Sequence, residues 1–152
     1  QSGGDVGERM ARGSDALFAR GHGPVLLTGS DLPTLPEALL REALEAVRGG
    51  SAAALVPVRD GGYCAVALAK PAPVLFAGVA WSTASVMAET ASAASRAGLR
   101  LHVTAPWYDV DEYADLETLR AEFAGRAPPG CAPVPGDPAP ATRAMLLSRG
   151  AQ

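Results

Sequence analysis

Apolar positions along the chain follow two alternating rhythms. Val6, Met10, Gly13 and Leu17 recur at the spacing of one helical face, and Gly21 supplies a stop. Pro24-Val25-Leu26-Leu27-Thr28 is instead a short continuous apolar run of strand length. Helical spacing returns at Leu39, Leu40, Ala43, Leu44 and Val47, closed by Gly49-Gly50. Two strand-like runs follow at 52–58 and 63–69, joined by Asp60-Gly61-Gly62. The remaining pattern predicts a helix near 83–97 ending at Gly98, a strand over 99–104, and a helix over 112–123 with Leu116, Leu119 and Phe123 aligned. Strands that alternate with helices imply an α/β fold of the Rossmann-like three-layer kind, with a mostly parallel sheet covered on both faces.

A chain of 152 residues is long enough for one domain with a substantial core. The patterned part is assigned to 1–125. The proline-rich stretch 127–140 reads as an extended linker, so 126–152 is set apart as a linker with a short terminal helix near 141–149. A formal net charge of -3 offers no basic footprint for a nucleic-acid backbone. No apolar run reaches the roughly 20 residues of a membrane helix, and Gln1-Ser2-Gly3-Gly4-Asp5 lacks the layout of a signal peptide. Cys64 falls in an apolar strand, as a small buried hydrophobe would, and Cys131 in the proline-rich stretch. Neither belongs to a metal or disulfide framework, which fits a reducing cytoplasm.

Chemistry concentrates at the strand ends. Gly29-Ser30-Asp31-Leu32-Pro33 follows the first apolar run, where open α/β sheets bind ligands. Thr34 and Glu37 have the spacing of a capping box, with Pro36 near the first helical position, which leaves Asp31 free for a ligand or metal. Tyr108-Asp109-Val110-Asp111 follows the last strand. Alternation in an extended segment would send only one of Asp109 and Asp111 to the cleft of Asp31, and either could instead cap the next helix. Two such carboxylates would suit Mg²⁺ or Mn²⁺, which takes oxygen ligands together with substrate phosphates and neutralises a departing diphosphate.

Arg59-Asp60-Gly61-Gly62-Tyr63 is a hairpin signal in which Asp60 is also a candidate general base. Its glycines would let the backbone approach a substrate closely. Trp81-Ser82-Thr83 opens a helix and Gly3-Gly4-Asp5 precedes one, as caps or as mouths for an anionic group. Arg9 and Lys70 are candidate phosphate contacts. His22 and His102 have no partner at metal spacing and read as surface or edge residues.

Taken in order, the segments 3–10, 29–33, 60–63, 81–83 and 109–111 resemble a bacterial glycosyltransferase-like family, whose members are often described as arsenosugar-biosynthesis or radical-SAM-associated transferases. That family is similar to the nucleotide-diphospho-sugar transferase superfamily with the GT-A fold, which includes molybdenum-cofactor and 2-phospholactate guanylyltransferases. The resemblance spans about residues 1–123. It implies Asp31 as one metal carboxylate and Asp109 or Asp111 as the other. It further implies an acceptor pocket lined by Asp60, Gly61, Gly62 and Tyr63, with Ser82 and Thr83 toward an anionic group. Gly4, Asp5, Arg9, Gly29, Ser30, Pro33 and Trp81 complete the expected binding set, with Asp60 and Asp31 as the catalytic carboxylates.

The implied activity is metal-dependent transfer of a sugar from a nucleotide sugar to a small acceptor. Nucleotidyl transfer from a nucleoside triphosphate to a phosphorylated metabolite, and a non-catalytic interaction module, are the alternatives. Family members are expected to carry further βα units and a nucleotide-gripping loop ahead of the Gly-Gly-Asp motif. The chain therefore reads as the carboxyl-terminal part of such a protein, with a sheet edge that a second copy could cover.

Overall fold

The computed structural model describes residues 4–149, so Gln1, Ser2 and Gly3 of the first motif lie outside the described residues. The helices are α1 (Val6–Ala19), α2 (Glu37–Arg48), α3 (Val86–Arg96), α4 (Tyr113–Phe123) and α5 (Pro140–Arg149), and the strands are β1 (Val25–Thr28), β2 (Ala53–Pro57), β3 (Tyr63–Leu68) and β4 (Leu101–Val103). A single 3-10 turn, Pro73–Leu75, was not signalled by periodicity. None of the described helices is long and apolar enough to cross a membrane.

The sheet has the order β1-β3-β2-β4 and is mixed, which corrects the expectation of a mostly parallel sheet. β3 pairs antiparallel with β1 and β2, and only β2–β4 is parallel. The cause is the tight turn at Asp60-Gly61-Gly62. A connection that short can only fold β3 back as a hairpin beside β2, whereas a parallel neighbour needs a crossover of a dozen or more residues. β1, β2 and β4 still share one direction, so their carboxyl ends and the amino end of β3 meet at one end of the sheet.

Side-chain alternation divides the core into two layers. Ala54, Val56 and Ala67 face α2 and α4, packing with Leu39, Ala43, Val47, Leu119, Trp107 and Tyr108. Ala53, Leu55, Val66 and Leu68 face the opposite side with Leu75, Phe76 and Ala94, where Met10 and Phe18 of α1 close the layer. The three-layer α/β/α arrangement is therefore present around a mixed sheet.

One irregularity in this alternation positions the site. Val56 pairs with Ala65 but Pro57 pairs with Tyr63, so Cys64 is the extra residue of a β-bulge. The bulge accommodates a proline, whose missing N–H would break a central ladder elsewhere. It also turns Tyr63 to the α1/α3 side of the sheet, although Ala65 and Ala67, at the same parity, face α2.

The proline-rich stretch carries no regular element and lies along the body. The Ala132 N–H donates to Pro106 O at 2.8 Å and the Asp137 N–H to Thr34 O at 3.0 Å. Cys131, Val134 and Leu146 pack against the α2-side core.

Candidate active site

Three chain segments bring the acidic residues together at the carboxyl ends of the parallel strands. Asp31 follows β1, and its carbonyl accepts the Val110 N–H at 3.0 Å. Asp60 sits in the β2–β3 turn, where Oδ1 accepts the Gly62 N–H at 2.9 Å. Beyond β4 the chain continues alongside β2: the Thr104 N–H donates to Leu55 O at 3.0 Å and the Trp107 N–H to Pro57 O at 2.9 Å, and Trp107 bridges in parallel to Val58. Asp109 and Asp111 are thereby delivered beside the turn that holds Asp60.

Asp60, Asp109 and Asp111 form a cluster in which one carboxylate oxygen from each lies within 4.8 Å of the others. The expectation that only one of Asp109 and Asp111 reaches the cleft is corrected, because residues 108–111 are irregular and strict alternation does not govern them. Nor does either cap α4. Glu112 is the N-cap in a capping box with Asp115, whose Oδ2 accepts the N–H groups of Asp111 and Glu112 at 3.2 and 3.0 Å. Asp31 faces the same cavity but stands outside the three-carboxylate group.

Burial raises the pKa of Asp109 above its ordinary value, and the charges of Asp60, Asp111 and Asp31 add to the rise. Among the described residues no Lys, Arg or His forms an ion pair with these four carboxylates. Octahedral Mg²⁺, with oxygen bonds of about 2.0–2.1 Å, places opposite ligands roughly 4.2 Å apart, so the spacing and the hard oxygen donors suit such an ion.

The carboxylates open onto a cavity of about 970 Å³. Gly29, Gly62, Tyr63, Trp81, Ser82 and Thr83 line it, together with Arg9, whose helical face also brings Val6 and Met10. Arg9 is the one Lys or Arg among the described residues that lines this space. Ser30, Pro33, Gly61, Gly4 and Asp5 do not line it. Lys70 lies past the far end of β3, away from the cavity. His102 pairs with Glu42 at 2.8 Å on the β4 edge.

Several of these positions have structural duties. Asp5 caps α1, its Oδ1 accepting the Glu8 N–H at 2.8 Å. Trp81-Ser82-Thr83 does not open α3, which begins at Val86 after Ser85. At that helix mouth the Val86 N–H bonds to Thr83 O and the Met87 N–H to Gly61 O, while Glu89 accepts from the Ala80 N–H and Ser85 Oγ at 2.7 Å each. Those hydrogen bonds, the Ala80 one foremost, lower the Glu89 pKa. Backbone carbonyls thus take two of the amides that an external anion would meet at this mouth. Ser82 lies at φ +62° on the cavity wall, a conformation that L residues rarely adopt.

The Thr34–Glu37 capping box does not form. α2 starts after Pro36 without a side-chain cap, and buried Thr34 donates to the Tyr108 hydroxyl at 3.2 Å. Asp31 is free of capping duty for a simpler reason, since it lies six residues before the helix.

Sequence reasoning did not single out the apolar wall of the cavity, formed by Leu26, Leu27, Val66 and Val86, because such residues are indistinguishable from core. It also left Trp107 unnoticed and Tyr108 without a role, although both are fully buried. Their bulk directly before Asp109 was the available signal. Cys64 lines the cavity too, and burial pushes its thiol up to about 12.

Gly61 has φ +95°, and a Cβ there would stand 2.2 Å from the Ala84 carbonyl oxygen. Gly61→Ala is expected to cost about 1–3 kcal/mol of unfolding free energy, measured by denaturant titration. An unchanged midpoint would contradict this close approach.

Comparison with other proteins places the chain further. Residues 1–83 match the family described as "Uncharacterized protein conserved in bacteria (DUF2064)". A crystal structure from Desulfovibrio desulfuricans G20, of a protein provisionally named a nucleotide-diphospho-sugar transferase, is similar at 36% identity with a TM-score of 0.73. That match covers 78% of this chain and 52% of the other, so the chain spans about half the length of that relative. No curated protein matches it.

Proposed function

We propose that this chain, which belongs to the bacterial DUF2064 family, supplies the cation-binding and acceptor side of a transferase acting on nucleotide-diphospho sugars. The observation that carries the reading is the three-carboxylate cluster of Asp60, Asp109 and Asp111 at the mouth of a large cavity. The provisional name of the Desulfovibrio relative supports the donor class.

Asp60, Asp109 and Asp111 would hold Mg²⁺ or Mn²⁺. The ion, when bound, supplies positive charge to offset the negative charge developing on a leaving diphosphate. The turn hydrogen bond from Gly62 fixes Asp60 in place, and the β-bulge presents Tyr63 on the adjoining wall. Arg9 is placed to meet a substrate phosphate. Asp31 is the carboxylate left to accept the proton of an attacking hydroxyl, since it stands outside the cation group and none of the described residues donates to it. Leu26, Leu27 and Val66 supply the apolar wall of the cavity against which a substrate would pack.

The test is calorimetry with UDP-, GDP- and ADP-sugars, with and without Mn²⁺, followed by product analysis. Mn²⁺-dependent binding of at least one nucleotide sugar and release of nucleoside diphosphate are expected. Pyrophosphate release from a nucleoside triphosphate would point to nucleotidyl transfer instead. No binding in any combination would contradict the proposal.

A further inference from the structure

One guanidinium, that of Arg59, connects the surroundings of all three acidic residues of the cluster. Arg59 immediately precedes Asp60. Its Cζ lies 5.6 Å from the ring centroid of Tyr108, the residue before Asp109. Its Nη2 reaches Asp115 Oδ1 at 3.4 Å, and the other oxygen of Asp115 accepts the backbone N–H of Asp111. Nη1 lies 3.5 Å from Pro129 O in the proline-rich stretch. Tyr108 itself is fixed from behind, buried and hydrogen-bonded to Thr34 and Glu122. Arg59 forms no ion pair with Asp60, Asp109 or Asp111, so it ties their backbones together without neutralising the carboxylates.

We propose that Arg59 is a positioning residue that clamps the β2–β3 turn to segment 108–115 and so sets the spacing of the three carboxylates. This rests on the cation-binding reading above. A single half-exposed ion pair would contribute little. The planar, multi-donor guanidinium can stack on Tyr108 while bonding Asp115, which an ammonium cannot reproduce.

The sign of the effect on metal binding separates positioning from simple charge. Removing a cation near three carboxylates would by Coulomb's law tighten the binding of a divalent ion. Loss of a clamp weakens it, as loss of outer-shell partners does by about 10–100-fold.

The experiment measures Mn²⁺ affinity and amide hydrogen exchange in the 152-residue chain and in Arg59→Met and Arg59→Lys. In Arg59→Met, Mn²⁺ binding should weaken at least ~10-fold. The Asp111 and Glu112 amides should exchange faster by a similar factor, while β2 and β3 core amides keep their rates, which shows that the fold is intact. Arg59→Lys keeps the charge and should also bind Mn²⁺ more weakly than the unaltered chain. Unchanged exchange at Asp111 and Glu112, or Mn²⁺ binding that is unchanged or tighter in Arg59→Met, overturns the proposal. If the unaltered chain takes up no Mn²⁺, the proposed function fails by itself, and the exchange rates decide the clamp.

Discussion

Asp109→Asn is expected to abolish most divalent-cation binding while making the metal-free chain more stable at neutral pH. Loss of a direct ligand should cost at least the ~10–100-fold typical of outer-shell partners. The stability gain follows from the raised pKa of Asp109, caused by burial first and then by Asp60, Asp111 and Asp31. A carboxyl with a raised folded-state pKa binds its proton more tightly in the folded chain than in the unfolded one. Stability is therefore lost as pH rises from the ordinary carboxylate range through the raised value. Asparagine carries no charge to repel its neighbours, so the advantage of the variant should shrink as pH falls into the ordinary carboxylate range and the native carboxyl takes up its proton. Thermal melts in chelator across this pH range check the sign. A lower Tm for Asp109→Asn at neutral pH would contradict it.

Trp107→Ala carries the largest expected stability loss. Trp107 is fully buried, packs against Tyr108 with ring centroids 5.7 Å apart, and bridges to Val58. Truncating such a side chain costs about 3–5 kcal/mol, a large share of the ~5–15 kcal/mol that holds a domain together. For a chain of this size that corresponds to a fall in Tm of roughly 6–20 °C. Because Trp107 docks the segment that carries Asp109 onto β2, cation binding should weaken even below the transition. Calorimetric melts test the first effect and Mn²⁺ titration well below the Tm tests the second. A shift of only a degree or two would contradict the packing role.

The elements themselves were legible because each has a clear local signature. α2 carries its apolar stripe and Gly49 stop within a few turns, and β3 is an uninterrupted apolar run between Gly62 and Lys70-Pro71. What periodicity cannot report is the partner of a strand. The Asp60-Gly61-Gly62 turn was readable as a hairpin, yet that β3 inserts between β1 and β2 depends on long-range pairing. The capping arguments failed by one to three residues, and those residues mattered. Thr34 was drawn away from α2 by Tyr108, and Glu112 with Asp115 took the duty offered to Asp109 and Asp111.

The site was half legible for the same reason. Strand-end aspartates could be picked out one by one, and Asp31, Asp60, Asp109 and Asp111 do share one cavity. Their grouping could not be read, because it is set by an irregular segment and a turn about fifty residues apart. Asp60, a candidate base by its sequence context, lies within the three-carboxylate cluster, and Asp31 faces the same cavity outside it. Arg59 was legible only as part of the turn motif, since its contacts with Tyr108 and Asp115 are purely spatial.

The most direct measurement is anomalous diffraction at the manganese edge from crystals soaked in Mn²⁺. The account predicts one strong peak coordinated by at least two of Asp60, Asp109 and Asp111, facing the cavity beside Asp31. No peak at the cluster, or a peak held by other residues, would contradict it.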